Sequence, residues 1–144
     1  MTATRSIAAT TTLVALLATP LAMGTAQAKG TAAVVKQGAC SGGGAHYTLK
    51  AQHDNGLIEV EWQVDANKVG QKWSVRLRDN GALFFSGTRT TQAPSGSFTV
   101  NRTTANRAGG DVIRARSVHG SRSVVTGSSA SQRCTSAARS WAEA

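Results

Sequence analysis

Apolar and polar residues alternate with a period of two over much of the chain. Between 57 and 65, Ile58, Val60, Trp62 and Val64 share one parity, and Glu59, Glu61, Gln63 and Asp65 take the other. That alternation describes a half-buried strand, and no helix places those residues on one face. Residues 72–78 repeat it with Trp73, Val75 and Leu77 inward, and 47–51 follows more weakly. Segments 97–100 and 112–117 continue the pattern, and 82–90 and 123–126 bring the expected strands to seven. Asp54-Asn55-Gly56 and Asp79-Asn80-Gly81 punctuate them as turns, because Asn and Gly accept positive φ. Pro94-Ser95-Gly96, Gly109-Gly110 and His119-Gly120 mark three more. Short strands at roughly ten-residue spacing predict an all-β, seven-stranded antiparallel β-sandwich.

The two ends of the chain read differently. Arg5 precedes an apolar stretch from Leu13 to Met23, and Ala26-Gln27-Ala28 is small at both positions a signal peptidase requires. Residues 1–28 are therefore expected to be a signal peptide, and the protein to be secreted. Residues 29–44 are expected to form a flexible N-terminal segment, 45–134 the β-sandwich domain, and 135–144 a C-terminal tail. No apolar run approaches the ~20 residues that span a bilayer, so no membrane insertion is expected after cleavage. Cys40 follows Gln37-Gly38-Ala39, with no Leu-like residue three positions before it, so a lipid anchor is not expected. The other cysteine is Cys134. In an oxidising compartment the two are expected to pair as one disulfide. Closing so long a loop contributes about 4–5 kcal/mol in the chain-entropy model.

Particular residues resemble a known family. Ile58-Glu59-Val60-Glu61-Trp62 resembles the second strand of fibronectin type III domains, which ends in a buried tryptophan. Asp111-Val112-Ile113-Arg114-Ala115-Arg116-Ser117-Val118-His119-Gly120 resembles their sixth strand and its turn, with Asp111 near the place of the usual tyrosine. The stretch from Cys40 to Cys134 is also similar to a group of small secreted actinobacterial proteins of unknown function. These share a Cys, a V-E-W-like strand ending in V-D, G-x-x-W, an N-G turn, S-G-S-F, G-x-D-x-I-x-A and a final Cys. The resemblance implies an immunoglobulin/fibronectin type III-like sandwich and a secreted location, and brings no catalytic residue.

Composition narrows the function. The 144 residues allow one domain, and 16 Lys and Arg against 7 Asp and Glu give a net charge of +9. His46, His53 and His119 are scattered without metal-ligand spacing, and Glu59 and Glu61 share one strand face rather than opposing each other across a cleft. No G-x-S-x-G occurs. The expectation is a monomeric, non-enzymatic protein with no metal and no cofactor.

The basic excess suggests a partner. Arg76 and Arg78 share the outward parity of one strand, and Arg114 and Arg116 that of another. A fibronectin-like order makes those strands neighbours, with Lys72 and Arg122 bordering the surface and Glu59, Glu61 and Asp65 on the other sheet. The four arginines would then form one polyanion-binding surface for an anionic cell-wall polymer, anionic lipid head groups or extracellular DNA. A simple meander would instead set Glu61 against Arg76 and Glu59 against Arg78 and neutralise it. Two other functions compete. A carbohydrate-binding module needs an exposed aromatic row, whereas Trp62 and Trp73 fall on the apolar parity. A secreted protease inhibitor would use the loop over 90–94.

Overall fold

A computed structural model describes residues 33–120 and 131–139. Eight strands alternate with turns: β1 (Val34–Ala39), β2 (His46–Asp54), β3 (Leu57–Asp65), β4 (Lys72–Asp79), β5 (Ala82–Thr90), β6 (Ser97–Ala105), β7 (Val112–His119) and β8 (Gln132–Arg139). They form two four-stranded antiparallel sheets, ordered β1-β2-β3-β6 and β5-β4-β7-β8. There is no helix among the described residues.

The strand count corrects the expectation of seven. β1 takes in residues expected to be flexible, and β8 runs on to Arg139, into the expected tail. β1 pairs with β2 from Val34↔Ala51 to Ala39↔His46, and β8 pairs with β7 from His119↔Gln132 to Val112↔Arg139. The expected signal peptide over 1–28, the expected strand at 123–126, Arg122 and Trp141 lie outside the described residues.

Alternation places the core between the sheets. Leu49, Ala51, Ile58, Val60, Trp62, Val64, Phe98 and Val100 come from one sheet, and Trp73, Val75, Leu77, Ile113, Ala115, Cys134 and Ala138 from the other. Both strand tryptophans are fully buried, as the parity of their strands predicts. The Trp62 Nε1–H donates across the sandwich to Ser117 Oγ on β7 at 2.7 Å. Tyr47 stacks on Trp62, with ring centroids 5.3 Å apart, and a Cβ on Gly38 would lie 2.7 Å from the Tyr47 hydroxyl. Glycine at 38 therefore lets the edge strand close over that ring.

Each lateral edge of the sandwich has its own fastening. At one, Cys40 and Cys134 form the expected disulfide, Cα atoms 4.4 Å apart, joining the end of β1 to β8. Ser41 and Arg133 exchange backbone hydrogen bonds of 2.9 and 3.0 Å beside it. At the other edge, the Phe85 ring of β5 lies between the guanidiniums of Arg89 and Arg102, at 5.0 and 4.6 Å. Arg102 belongs to β6, so this cation–π contact also bridges the sheets. The β4–β5 register shifts between Leu77 and Arg78, which lets Phe84 and Phe85 both lean on the core.

Candidate functional site

The four arginines singled out by parity come together on one face. β4 and β7 are hydrogen-bonded neighbours, and their register sets Arg76 opposite Arg116 and Arg78 opposite Arg114. All four are exposed, because Val75, Leu77, Ile113 and Ala115 take the inward parity between them. β3 pairs with β2 and β6, so Glu59 and Glu61 lie on the other sheet and the meander arrangement is excluded.

The face is wider than four residues. Lys72 continues it along β4, and Arg133 and Arg139 extend it on β8. Both arginines alternate with Cys134, Ser136 and Ala138, which are buried. The remaining outward positions of this sheet are Ser74, Leu83, Ser86, Thr88, Thr90, Val112, Val118, Thr135 and Ala137, so among the described residues its strands put no carboxylate on this face. Among the described residues, Arg76, Arg78, Arg114 and Arg116 make no salt bridge, and Arg78 is tied only to the Gly81 carbonyl at 2.8 Å. Like charges held at cross-strand distance repel, and water and counterions alone screen them.

Two shallow hollows lie along β4 and β7, one on each side of the Arg76/Arg116 row. One, of about 180 Å³, is lined by Arg76, Arg78, Arg114 and Arg116 with Ala115 and Thr135. The next, of about 200 Å³, is lined by Arg76 and Arg116 with Ser74 and Val118.

The opposite sheet carries different chemistry. Its outer rows run Gln37, Thr48, Gln63, Thr99 and Val35, Lys50, Glu61, Asn101 across the four strands. Glu59, Glu61 and Asp65 point outward there, as expected, with Lys50 beside Glu61. A hollow of about 290 Å³ on this side is lined by Gln37, His46, Thr48, Gln63 and Asp65 with Gly38 and Tyr47. It is larger than either hollow on the basic face, but no lysine or arginine lines it.

Buried carboxylates lie at one end of the sandwich, where the alternation assigned no acid. Asp79 ends β4 at an inward position and Asp111 precedes β7; both are buried. Arg107 pairs with Asp79 Oδ2, to which the Thr104 hydroxyl donates at 3.1 Å. The Arg107 amide and Asn80 Nδ2 donate to Asp111, each at 3.0 Å. Burial pushes the Asp79 carboxyl above its ordinary range; the Thr104 hydrogen bond pulls it back, the Asp111 charge adds to the rise and Arg107 opposes it. Asp111 thus ties the loop before β7 to Asn80 and Arg107.

The loop proposed for protease inhibition is held at both ends. Thr91 is buried, accepts from the Gln71 amide at 2.9 Å and donates to the Lys68 carbonyl at 2.5 Å. Gln92 bridges to Ser97, and Gly96 lies so close to Lys68 that a Cβ would come within 2.3 Å of its backbone nitrogen. Ala93, Pro94 and Ser95 form the exposed tip. Comparison with protein-family models, curated proteins and solved structures finds no match to this chain.

Proposed function

We propose that the protein is a secreted, monomeric β-sandwich of the fibronectin type III-like kind that binds an anionic cell-surface or extracellular polymer through the outer face of its β5-β4-β7-β8 sheet. It acts by binding and not by catalysis. One observation carries this: two successive cross-strand pairs of arginines, on a face to which the described strands bring no carboxylate. Guanidinium forks match phosphate and sulfate oxygens bidentately, and an unneutralised cluster gains most from an anion that replaces its screening counterions. The strand order supports the fibronectin-like topology, since β3, with its buried tryptophan, lies between β2 and β6 while β4 and β7 pair in the facing sheet. The export signal expected over 1–28 and the likeness to small secreted actinobacterial proteins supply the location, and the Cys40–Cys134 disulfide is compatible with it.

The reading is tested by titrating a polyanion into the oxidised protein at several salt concentrations. Engaging four arginines should give a slope of log K against log salt near −3 for a single-stranded polyanion. A slope near zero would contradict it.

A second reading, carbohydrate binding, is favoured by one feature, the hollow lined by Gln37, His46, Thr48 and Gln63. Amides and hydroxyls suit sugar hydroxyls, and such binding would persist at high salt and weaken in Gln63→Ala. The aromatic ring among its described lining residues, Tyr47, is half-buried and stacked on Trp62 rather than presented as a platform, so this reading ranks second.

A further inference from the structure

We infer that the anionic polymer is a linear phosphodiester of polyol units lying along β4 and β7, with successive phosphates in the two hollows. This rests on the polyanion reading above and specifies the ligand class for the same face.

The two hollows are in series. The first lies between the Arg78/Arg114 and Arg76/Arg116 rows, and the second between the Arg76/Arg116 and Ser74/Val118 rows. The Arg76/Arg116 row therefore borders both. Successive rows on one face are two residues apart, about 6.8 Å along an antiparallel strand. Two residues are six backbone bonds. A phosphodiester bridging the ends of a three-carbon polyol also has six bonds from phosphorus to phosphorus, and spans about 7 Å when extended. The ligand and the strand then share a repeat, so a phosphate entering one hollow delivers the next to its neighbour. Anhydride-linked polyphosphate has only two bonds per repeat, and crowds several charges against one row.

Among the described residues, the face offers no aromatic ring on which a base could stack. Nucleic acids also have a six-bond repeat, and single strands are held by aromatic rings interleaved with the cations. Here the positions flanking the arginines are Leu83, Ser86, Thr135 and Ala137, and Trp73, the tryptophan of β4, points into the core. A polyol phosphate offers nothing to stack and loses nothing by this.

The probes are glycerol phosphate, oligo(1,3-glycerol phosphate) of six units, inorganic polyphosphate of matched charge and a thymidylate hexamer, titrated by calorimetry at 50 mM salt. The six-unit oligomer should bind at least tenfold more tightly than glycerol phosphate and tenfold more tightly than polyphosphate. The thymidylate should bind no more tightly than the oligomer. R78S/R114S, which removes one row, should weaken the oligomer at least tenfold and roughly halve the salt slope. K50S, which removes a cation of the opposite sheet, should change affinity less than threefold. Unchanged thermal unfolding shows that each variant is folded. Polyphosphate binding as tightly as the oligomer would overturn the matched repeat while leaving polyanion binding standing. Thymidylate binding tenfold more tightly would overturn the base-free ligand in favour of nucleic acid. No binding by any probe would defeat the polyanion reading itself.

Discussion

The indole of Trp62 is completely buried, so its N–H needs a partner inside the protein, and Ser117 Oγ at 2.7 Å is that partner. Ser117→Ala leaves the donor unpaired in an apolar layer, and should cost about 1–3 kcal/mol in denaturant unfolding. Trp62→Phe combined with Ser117→Ala should cost less than the sum of the two single changes, because the second then orphans nothing. Asp79 makes the other residue-scale prediction. Its carboxyl is raised by burial, so the folded state holds the proton more tightly than the unfolded chain does. Stability from this group therefore increases as pH falls through the raised folded value, and levels off below the unfolded value near about 3.9. The unfolding free energy of the protein relative to Asp79→Asn should rise between pH 7 and pH 4. Parallel curves for the two proteins would show that Asp79 titrates normally.

Elements differ in how clearly the sequence announces them. β3 and β4 alternate large apolar residues with charges, and the register confirms both their bounds and their inward faces to within a residue. β1 and β8 follow the same period but spend it on small or solvated residues. In β8 the buried positions are Cys134, Ser136 and Ala138, which look like loop composition until the strand is seen pairing with β7. In β1 only Val34 and Gly38 are even half-buried, since an edge strand needs little apolar surface to pair. Overlooking β8 also hid Arg133 and Arg139, although their spacing around Cys134 was the available signal. The cysteines were legible because a chain with only two of them has one possible intrachain pairing. That disulfide fastens two edge strands from opposite sheets. Changing Cys40 and Cys134 to Ser should lower the unfolding free energy by up to about 4–5 kcal/mol. In hydrogen exchange the β1 amides should lose protection before those of β3 and β4. Equal stability of the two forms would mean that the edge strands hold without the bridge.

At the scale of the whole molecule, charge is sorted by sheet. Arginine parity was readable from single strands, but a parity says only that a side chain points outward. Whether four outward arginines reinforce each other or are cancelled by Glu59 and Glu61 depends on which strands pair, and that is a property of topology. The β4–β7 pairing makes one face cationic and sends the acids to the other side. The fold thereby turns a general basic excess into an oriented surface, and the proposed polyanion would be steered to it from one direction.

The direct test is R76S/R78S/R114S/R116S, compared with the unaltered protein for polyanion binding at low and physiological salt, with unfolding curves for both. The account predicts that the variant unfolds like the parent, because these side chains carry none of the core. It also predicts that the parent's binding weakens steeply with salt and that the variant's is absent at both concentrations. A folded variant that still binds the polyanion with the parent's affinity would contradict the assignment of this face.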